Sequence, residues 1–229
     1  MPQKIRQHRY QPPPGATELL LFRHGESAPA DPDRRFPLID GQGDPELAPE
    51  GRAQAAAIAV RLKNTPLDAI YASTLRRTVE TAQPLADALG LRPEVDPDLR
   101  EVHLGDWEGG LFRQKVAQGD PVALRLRAEQ RWDVIPNAES RESLSGRLVG
   151  AVGRIHARHP GRRVAVFTHG GVIAEVLARA SGSEPFAFLG ADNGSLSHVV
   201  VVGDTWAVRR FNDTAHLADD LSISGSPQS

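Results

Sequence analysis

The sequence predicts an α/β protein: a three-layer α/β/α sandwich on a mainly parallel sheet with at least one antiparallel strand. Three observations predict it. Short, continuous apolar runs such as "ELLLFR" (18–23) and "RRVAVF" (162–167) mark strands covered on both faces. Segments of helical spacing alternate with such runs, and that alternation builds a parallel sheet between layers of helices. The closing stretch "SLSHVVVVGDTWAVRRFND" reads as two strands about a tight turn at Gly203-Asp204, which turns at least one strand antiparallel.

Taken in order, residues 1–16 are polar and basic and end in Pro12-Pro13-Pro14-Gly15, which predicts a flexible arm. The first strand follows. "APEGRAQAAAIAVRLKN" (48–64) is a helix entered at Pro49, and "LDAIYAS" (67–73) is the second strand. "TLRRTVETAQPLADALG" (74–90) is a helix with Pro84 inside it and Gly90 at its end, and "RPEVD" is a short third strand. Residues 111 to about 140 form a helical insertion over the main body. "SLSGRLVGAVGRIHARHPG" (143–161) is a helix stopped by Pro160-Gly161, and "GVIAEVLARASG" (171–182) is the helix after the "VAVFTHGG" strand. The expected division is one domain over 17–212 and a flexible tail over 213–229.

Composition limits the chemistry. The 229 residues carry a formal charge of −2, so no electrostatic argument favours nucleic acid or an anionic membrane as a partner. There is no cysteine, which excludes disulfides, thiolate metal sites and a cysteine nucleophile. The N-terminal stretch has no apolar signal core and no run reaches membrane-spanning length, so a cytoplasmic location is expected.

In such sheets, ligands bind beyond the carboxyl ends of the strands. Two strands end in nearly the same word, "FRHG" and "FTHG", each a histidine followed by glycine. One histidine there reads as a structural residue bonded to a nearby carbonyl. Two, each beside a glycine that permits close backbone approach, read as a site. Arg23 adjoins His24, and "ASTLRRTVETA" offers Arg76 or Arg77 at the start of the second helix. Neighbours on a helix point about 100° apart, so one of the two faces the site and the other faces solvent. Two histidines and two arginines make a cationic pocket suited to a phosphoryl group without metal. A neutral imidazole is a competent nucleophile for phosphorus. Asp98, Glu101, Asp106 and Glu108 in "DPDLREVHLGDWEGG" are all candidates for the general acid.

With these blocks in place, "LLLFRHGES", "ASTLRRTVETA", "LREVHLGDWEG" and "VFTHGGVI" resemble, in order, the motifs of the histidine phosphatase superfamily, phosphoglycerate mutase-like branch. The resemblance spans roughly residues 18–216. It implies that His24 is the nucleophile, that Arg23 and Arg76 grip the phosphate and that His169 completes the pocket. Glu101 then falls on the proton donor that later activates water, Gly170 lends a backbone N–H, and Asn193 lines the pocket. Asp98, Asp106 and Glu108 revert to loop roles. No cofactor and no metal are implied, and the expected partner is a small phosphorylated metabolite; a homodimer is compatible with the sequence.

The mutases of this branch continue the first motif with Trp and Asn, absent from "HGESAPADPDRRF", and carry Tyr where this chain has Leu104. These departures favour a phosphomonoesterase over a cofactor-dependent phosphoglycerate mutase; a phosphatase specific for a sugar-phosphate or phosphoglycerate derivative is a further alternative, and a non-catalytic phosphate-binding module is disfavoured because His24, Arg76, Glu101 and His169 are all present. His156 and His159 share a helix face near its C-terminus, where positive charge is favourable, and read as structural. His103 is a candidate substrate contact, and Trp107 and Trp132 are candidate pocket walls or anchors of the insertion.

Overall fold

The computed structural model describes residues 7–217. The first six residues of the expected arm, and the expected tail beyond Leu217, lie outside the described residues. The strands are β1 (Thr17–Arg23), β2 (Leu38–Ile39), β3 (Gln42–Gly43), β4 (Ala69–Ala72), β5 (Glu94–Val95), β6 (Arg163–Thr168), β7 (Leu196–Val202) and β8 (Thr205–Asp213). The helices are α1 (Pro49–Leu62), α2 (Arg76–Leu89), α3 (Leu111–Ala117), α4 (Pro121–Glu129), α5 (Arg141–Arg158) and α6 (Gly170–Ser181).

The main sheet runs β5-β4-β6-β1-β7-β8. The first four strands are parallel, and β7 and β8 are antiparallel, as the closing hairpin required. In β1 the side chains alternate between two cores. Leu19 and Leu21 join the layer of α5 and α6, with Leu148, Ile155, Ile173 and Leu177. Leu20 and Phe22 join the layer of α1 and α2, with Ile58, Leu62 and Leu85. A strand buried on both faces has no polar face, which is why "LLLF" reads as a continuous run. Phe22 stacks on Phe167 at 5.1 Å between ring centres, so the two central strands are also matched in side chains.

The insertion is part of the main body: Trp132, Ile135 and Leu126 lie in the same core as α5 and α6. Within the 28–48 loop, β2 and β3 form a two-residue ladder that the sequence pattern was too short to reveal. The tail boundary needs correction. Asp213 ends β8 and is held by two bonds from Arg61 at 3.0 and 2.7 Å, and His216 contacts Arg61 and the Gly194 carbonyl. Residues 213–217 are therefore tied to the domain. In the arm, the Arg209 guanidinium lies 3.6 Å over the Tyr10 ring.

The chain after β1 is pressed against the first turn of α1. A Cβ on Gly51 would lie 2.0 Å from the Glu26 carbonyl oxygen, and one on Gly25 would lie 2.5 Å from the Gly51 oxygen. Because both contacts are with backbone, a side chain cannot be absorbed by rotamer change. Gly51→Ala is expected to cost about 1–3 kcal/mol in urea unfolding, the usual penalty of overpacking. A loss below about 0.5 kcal/mol would mean that this approach is not tight.

Candidate active site

The site lies at the carboxyl ends of β1 and β6. Because Arg23 pairs with Thr168 across a parallel ladder, the residues that follow, His24 and His169, emerge side by side. The His24 amide continues the ladder to the Thr168 carbonyl at 2.9 Å. Their rings meet edge to face at 5.2 Å between centres.

The protonation of His24 follows from its partners. Nδ1 lies 2.7 Å from the Gly25 carbonyl, which can only accept, so Nδ1 carries the proton. Nε2 then keeps its lone pair, and the Arg77 Nε–H donates to it at 3.2 Å. Burial, the Arg77 charge and the Arg23 charge together hold the imidazole well below its ordinary pKa. His169 is likewise kept neutral by burial and by Arg77. Its Nε2 meets the Ser73 hydroxyl at 2.9 Å, while its Nδ1 is buried with no hydrogen-bond partner among the described residues. The Nε of Arg23 is in the same condition, although its Nη1 donates to the Ala191 carbonyl at 2.5 Å. Unpaired buried polar groups are costly, and because Arg23 borders both cavities of the site, its free Nε implies a hydrogen-bonding ligand there.

The second arginine is Arg77, not Arg76. Arg77 is buried, donates to the Gly43 carbonyl at 2.9 Å, and has its pKa lowered by burial to about 10. Arg76 has a side chain 53% exposed and pairs with Glu46 and Glu80 on the surface. The reason lies in α2, whose buried face runs through Arg77, Thr78, Thr81, Ala82, Leu85 and Ala86. Arg77 stands one turn before Thr81 on that face, whereas Arg76 stands one turn before Glu80, which lies off it. Thr81 adds a further link, accepting from the Gly25 amide at 2.9 Å and donating to the Arg77 carbonyl at 2.6 Å.

A third arginine comes from the insertion. Arg113 on α3 donates to the Ala28 carbonyl at 2.9 Å and to the Ser27 hydroxyl at 2.7 Å, and lines the same pocket as His24. Its charge is part of what lowers the His24 pKa. The only signal in the sequence was a cation on a weakly patterned helix, and it did not single this residue out.

Glu101 faces the cations. Its Oε1 accepts from the Val102 amide at 2.9 Å and its Oε2 from the Gly171 amide at 3.2 Å. A Cβ on Gly171 would lie 2.6 Å from the carboxylate, so the second glycine of "THGG" makes room for Glu101. The backbone of this loop is held from behind. Arg147 donates to the carbonyls of Asp98, Arg100 and Glu101 at 2.7, 2.8 and 3.0 Å, and its Nε and Nη2 each donate to Glu139 at 2.8 Å. The other carboxylates serve structure: Asp98 pairs with Arg154, Asp106 accepts from Asn137, and Glu108 accepts from the amides of Leu104 and Gly43.

Gly170 packs against the Arg23 guanidinium and borders the larger cavity. Asn193 acts behind the nucleophile, its amide donating to the His24 carbonyl at 2.9 Å. His103 accepts from the Gly105 amide at 3.1 Å and lines neither cavity of the site. His156 and His159 bond to Thr17 and Tyr71. Trp132 borders both cavities and Trp107 the smaller one, and both are also core residues. Among the described residues no group of three or more histidines and carboxylates could hold a metal ion.

A family model described as "Histidine phosphatase superfamily (branch 1)" matches residues 19–214. The chain belongs to the histidine phosphatase superfamily. It is 36% identical to phosphoglycerate mutase-like protein 4 of Arabidopsis thaliana, over 88% of this chain and 87% of that protein. It is 34% identical to a metal-independent phosphoserine phosphatase of the same plant, over 88% of this chain and 84% of that protein. Among solved structures, a mycobacterial glucosyl-3-phosphoglycerate phosphatase superposes with a TM-score of 0.73 at 30% identity, covering 87% of this chain and all of that one. Membership accounts for the order of the motif blocks, and the fold is the one common to the superfamily. No helix among the described residues is long and apolar enough to cross a membrane.

Proposed function

We propose that the protein is a metal-independent phosphomonoesterase acting on a small phosphorylated metabolite through a phosphohistidine at His24. The observation that carries the reading is the His24 ring itself. Its Nδ1 proton is fixed on Gly25, and its Nε2, which accepts from Arg77, belongs to a pocket lined by Arg23, Arg77 and Arg113, with the His169 ring packed against it. Nε2 attacks phosphorus while the bridging P–O bond breaks, and Glu101 gives its proton to the departing alcohol oxygen. Glu101, now a carboxylate, takes a proton from water as the water oxygen attacks phosphorus and breaks the N–P bond. The arginines hold the equatorial oxygens throughout, and the orphaned Arg23 Nε and His169 Nδ1 are satisfied by them. A cytoplasmic setting belongs to the same reading and is supported by the cysteine-free composition.

The test is rapid-quench trapping with a ³²P-labelled monoester in the presence of EDTA. An acid-labile, base-stable phosphoenzyme and undiminished phosphate release are expected. Loss of turnover in EDTA, or turnover without a phosphoenzyme, would rule the mechanism out.

The role of Glu101 makes a separate prediction. Glu101→Gln is expected to lower kcat/KM for an alkyl phosphate about 10²- to 10³-fold, the usual worth of general acid catalysis. For 2,4-dinitrophenyl phosphate, whose leaving group needs no proton, the loss should stay below about tenfold. Equal losses on both esters would remove Glu101 from the proton-transfer step.

A further inference from the structure

The phosphoryl pocket opens sideways into a second, larger space, and the two share Arg23, Glu101, Phe112 and Trp132. The pocket holding His24 and Arg77 measures about 130 Å³, the neighbouring cavity about 470 Å³. Glu101 stands at their junction. In the phosphatase reading, on which this inference rests, that junction is where the bridging oxygen sits. The larger cavity is then the place of the alcohol.

Its lining identifies the alcohol. Phe112, Val116, Leu126, Trp132, Phe186 and Leu189 border it. The aromatic members form a continuous row, with ring centres 6.1 Å apart for Phe112–Trp132 and 5.0 Å for Trp132–Phe186. The protein has only 3 Trp, 2 Tyr and 7 Phe, so this concentration on one wall is not background. The charged groups lining the cavity outside the phosphoryl junction are of opposite sign, Arg127 and Glu184, and Gln130 gives its carbonyl to the Phe186 amide. A carboxylate or second phosphate on the alcohol would meet Glu184 as well as Arg127. The cavity thus has one apolar wall facing a polar one, and cavities of roughly 300–1,000 Å³ suit drug-sized ligands, well above a three-carbon acid.

We infer that the substrate is a monophosphate of a bulky alcohol with no second anionic group, which lays an apolar ring face against the Phe112–Trp132–Phe186 wall. Small anionic esters such as O-phosphoserine and 3-phosphoglycerate leave that wall wet and gain nothing from it.

The experiment compares ethyl, 2-phenylethyl and 2-(2-naphthyl)ethyl phosphate with O-phosphoserine and 3-phosphoglycerate. The three alkyl esters have similar leaving groups, so differences in kcat/KM report the cavity. The naphthyl ester is expected to exceed the ethyl ester about 100-fold, as burial of one extended ring face allows, and to exceed both anionic esters by at least as much. Phe186→Ala, at a half-buried position, is expected to lower the naphthyl-to-ethyl ratio about tenfold. Should that variant fail to fold, Val116→Trp, which fills the cavity from α3, is expected to lower the same ratio. A flat series, an anionic ester at the top, or a ratio unmoved by both variants overturns the inference while leaving the phosphatase reading intact. No phosphate release from any ester, 2,4-dinitrophenyl phosphate included, overturns both.

Discussion

His24→Asn is expected to reduce phosphate release from any monoester by roughly 10⁵-fold or more and to leave no trappable phosphoenzyme, the usual consequence of removing a nucleophile. The pH dependence of the wild type should carry the same signature. Buried beside Arg77 and Arg23, the His24 imidazole has a pKa well below the ordinary value of about 6.5. It therefore stays neutral as the medium passes through that value, and kcat/KM should show no loss there attributable to the nucleophile. Stability carries the opposite trace. In the unfolded chain His24 and His169 take up protons near pH 6.5, whereas in the folded chain both resist them. Below pH 6.5 each histidine thus favours unfolding, by up to about 1.4 kcal/mol per pH unit until its folded pKa is reached. His24→Asn should unfold at higher urea than the wild type at pH 5 and show little such advantage at pH 8. A midpoint difference independent of pH would contradict the neutral state of the buried ring.

Arg77→Met is expected to lower kcat/KM about 10³-fold, whereas Arg76→Met should stay within about threefold of the wild type. One buried donor aimed at developing oxyanion charge is commonly worth two to three orders of magnitude. An exposed guanidinium paired with Glu46 and Glu80 contributes little to stability and nothing to the pocket. Arg77→Lys should recover little, because a point charge does not reproduce a fork that reaches His24 and Gly43 together. Burial disfavours the charged form of Arg77, and Glu101 only partly offsets it, so the Arg77 variant should lose little stability relative to the wild type. Thermal melts with vanadate separate the cases: the wild type and the Arg76 variant should be stabilised by the anion and the Arg77 variant should not. Equal losses from both substitutions would place the phosphate elsewhere.

The contrast between these two arginines also marks how far the sequence could be read. The strands, the helices and the neighbouring histidines were legible because apolar periodicity and short strand-end words are local signals. The choice of Arg76 failed although the information was present: Thr81, Leu85 and the small residues between them define a helix face, and Arg77 is on it. The motif resemblance points to Arg76, whereas the buried face of the helix carries Arg77. Arg113, Gly171 and the Arg147–Glu139 support of the Glu101 loop were less accessible. They depend on which segments of the chain meet across 46 or more positions, as Arg147 and Glu101 do. No local pattern encodes such a meeting. The attachment of residues 213–217 is hidden from local pattern in the same way, because His216 is held by Arg61, 155 positions earlier.

The pairing of β1 with β6 has a consequence for how such a protein can be changed. Side chains in a strand alternate with a period of two, so a shift of one residue in this ladder would carry His24 or His169 to the opposite face. The separation of the two imidazoles is therefore set by hydrogen-bond register between two central strands, and by nothing in the 28–48 loop or the 111–140 insertion. The insertion shapes what surrounds the alcohol through Phe112 and Trp132, and the loop borders the smaller pocket through Phe36. The spacing of the two histidines and the shaping of the alcohol site thus reside in different pieces of the chain, with Arg113 and Gly43 as the points where the second reaches the phosphoryl pocket. Grafting a different 28–48 loop or insertion that keeps Gly43 and Arg113 onto this frame should redirect the enzyme to another ester without resetting the spacing of His24 and His169.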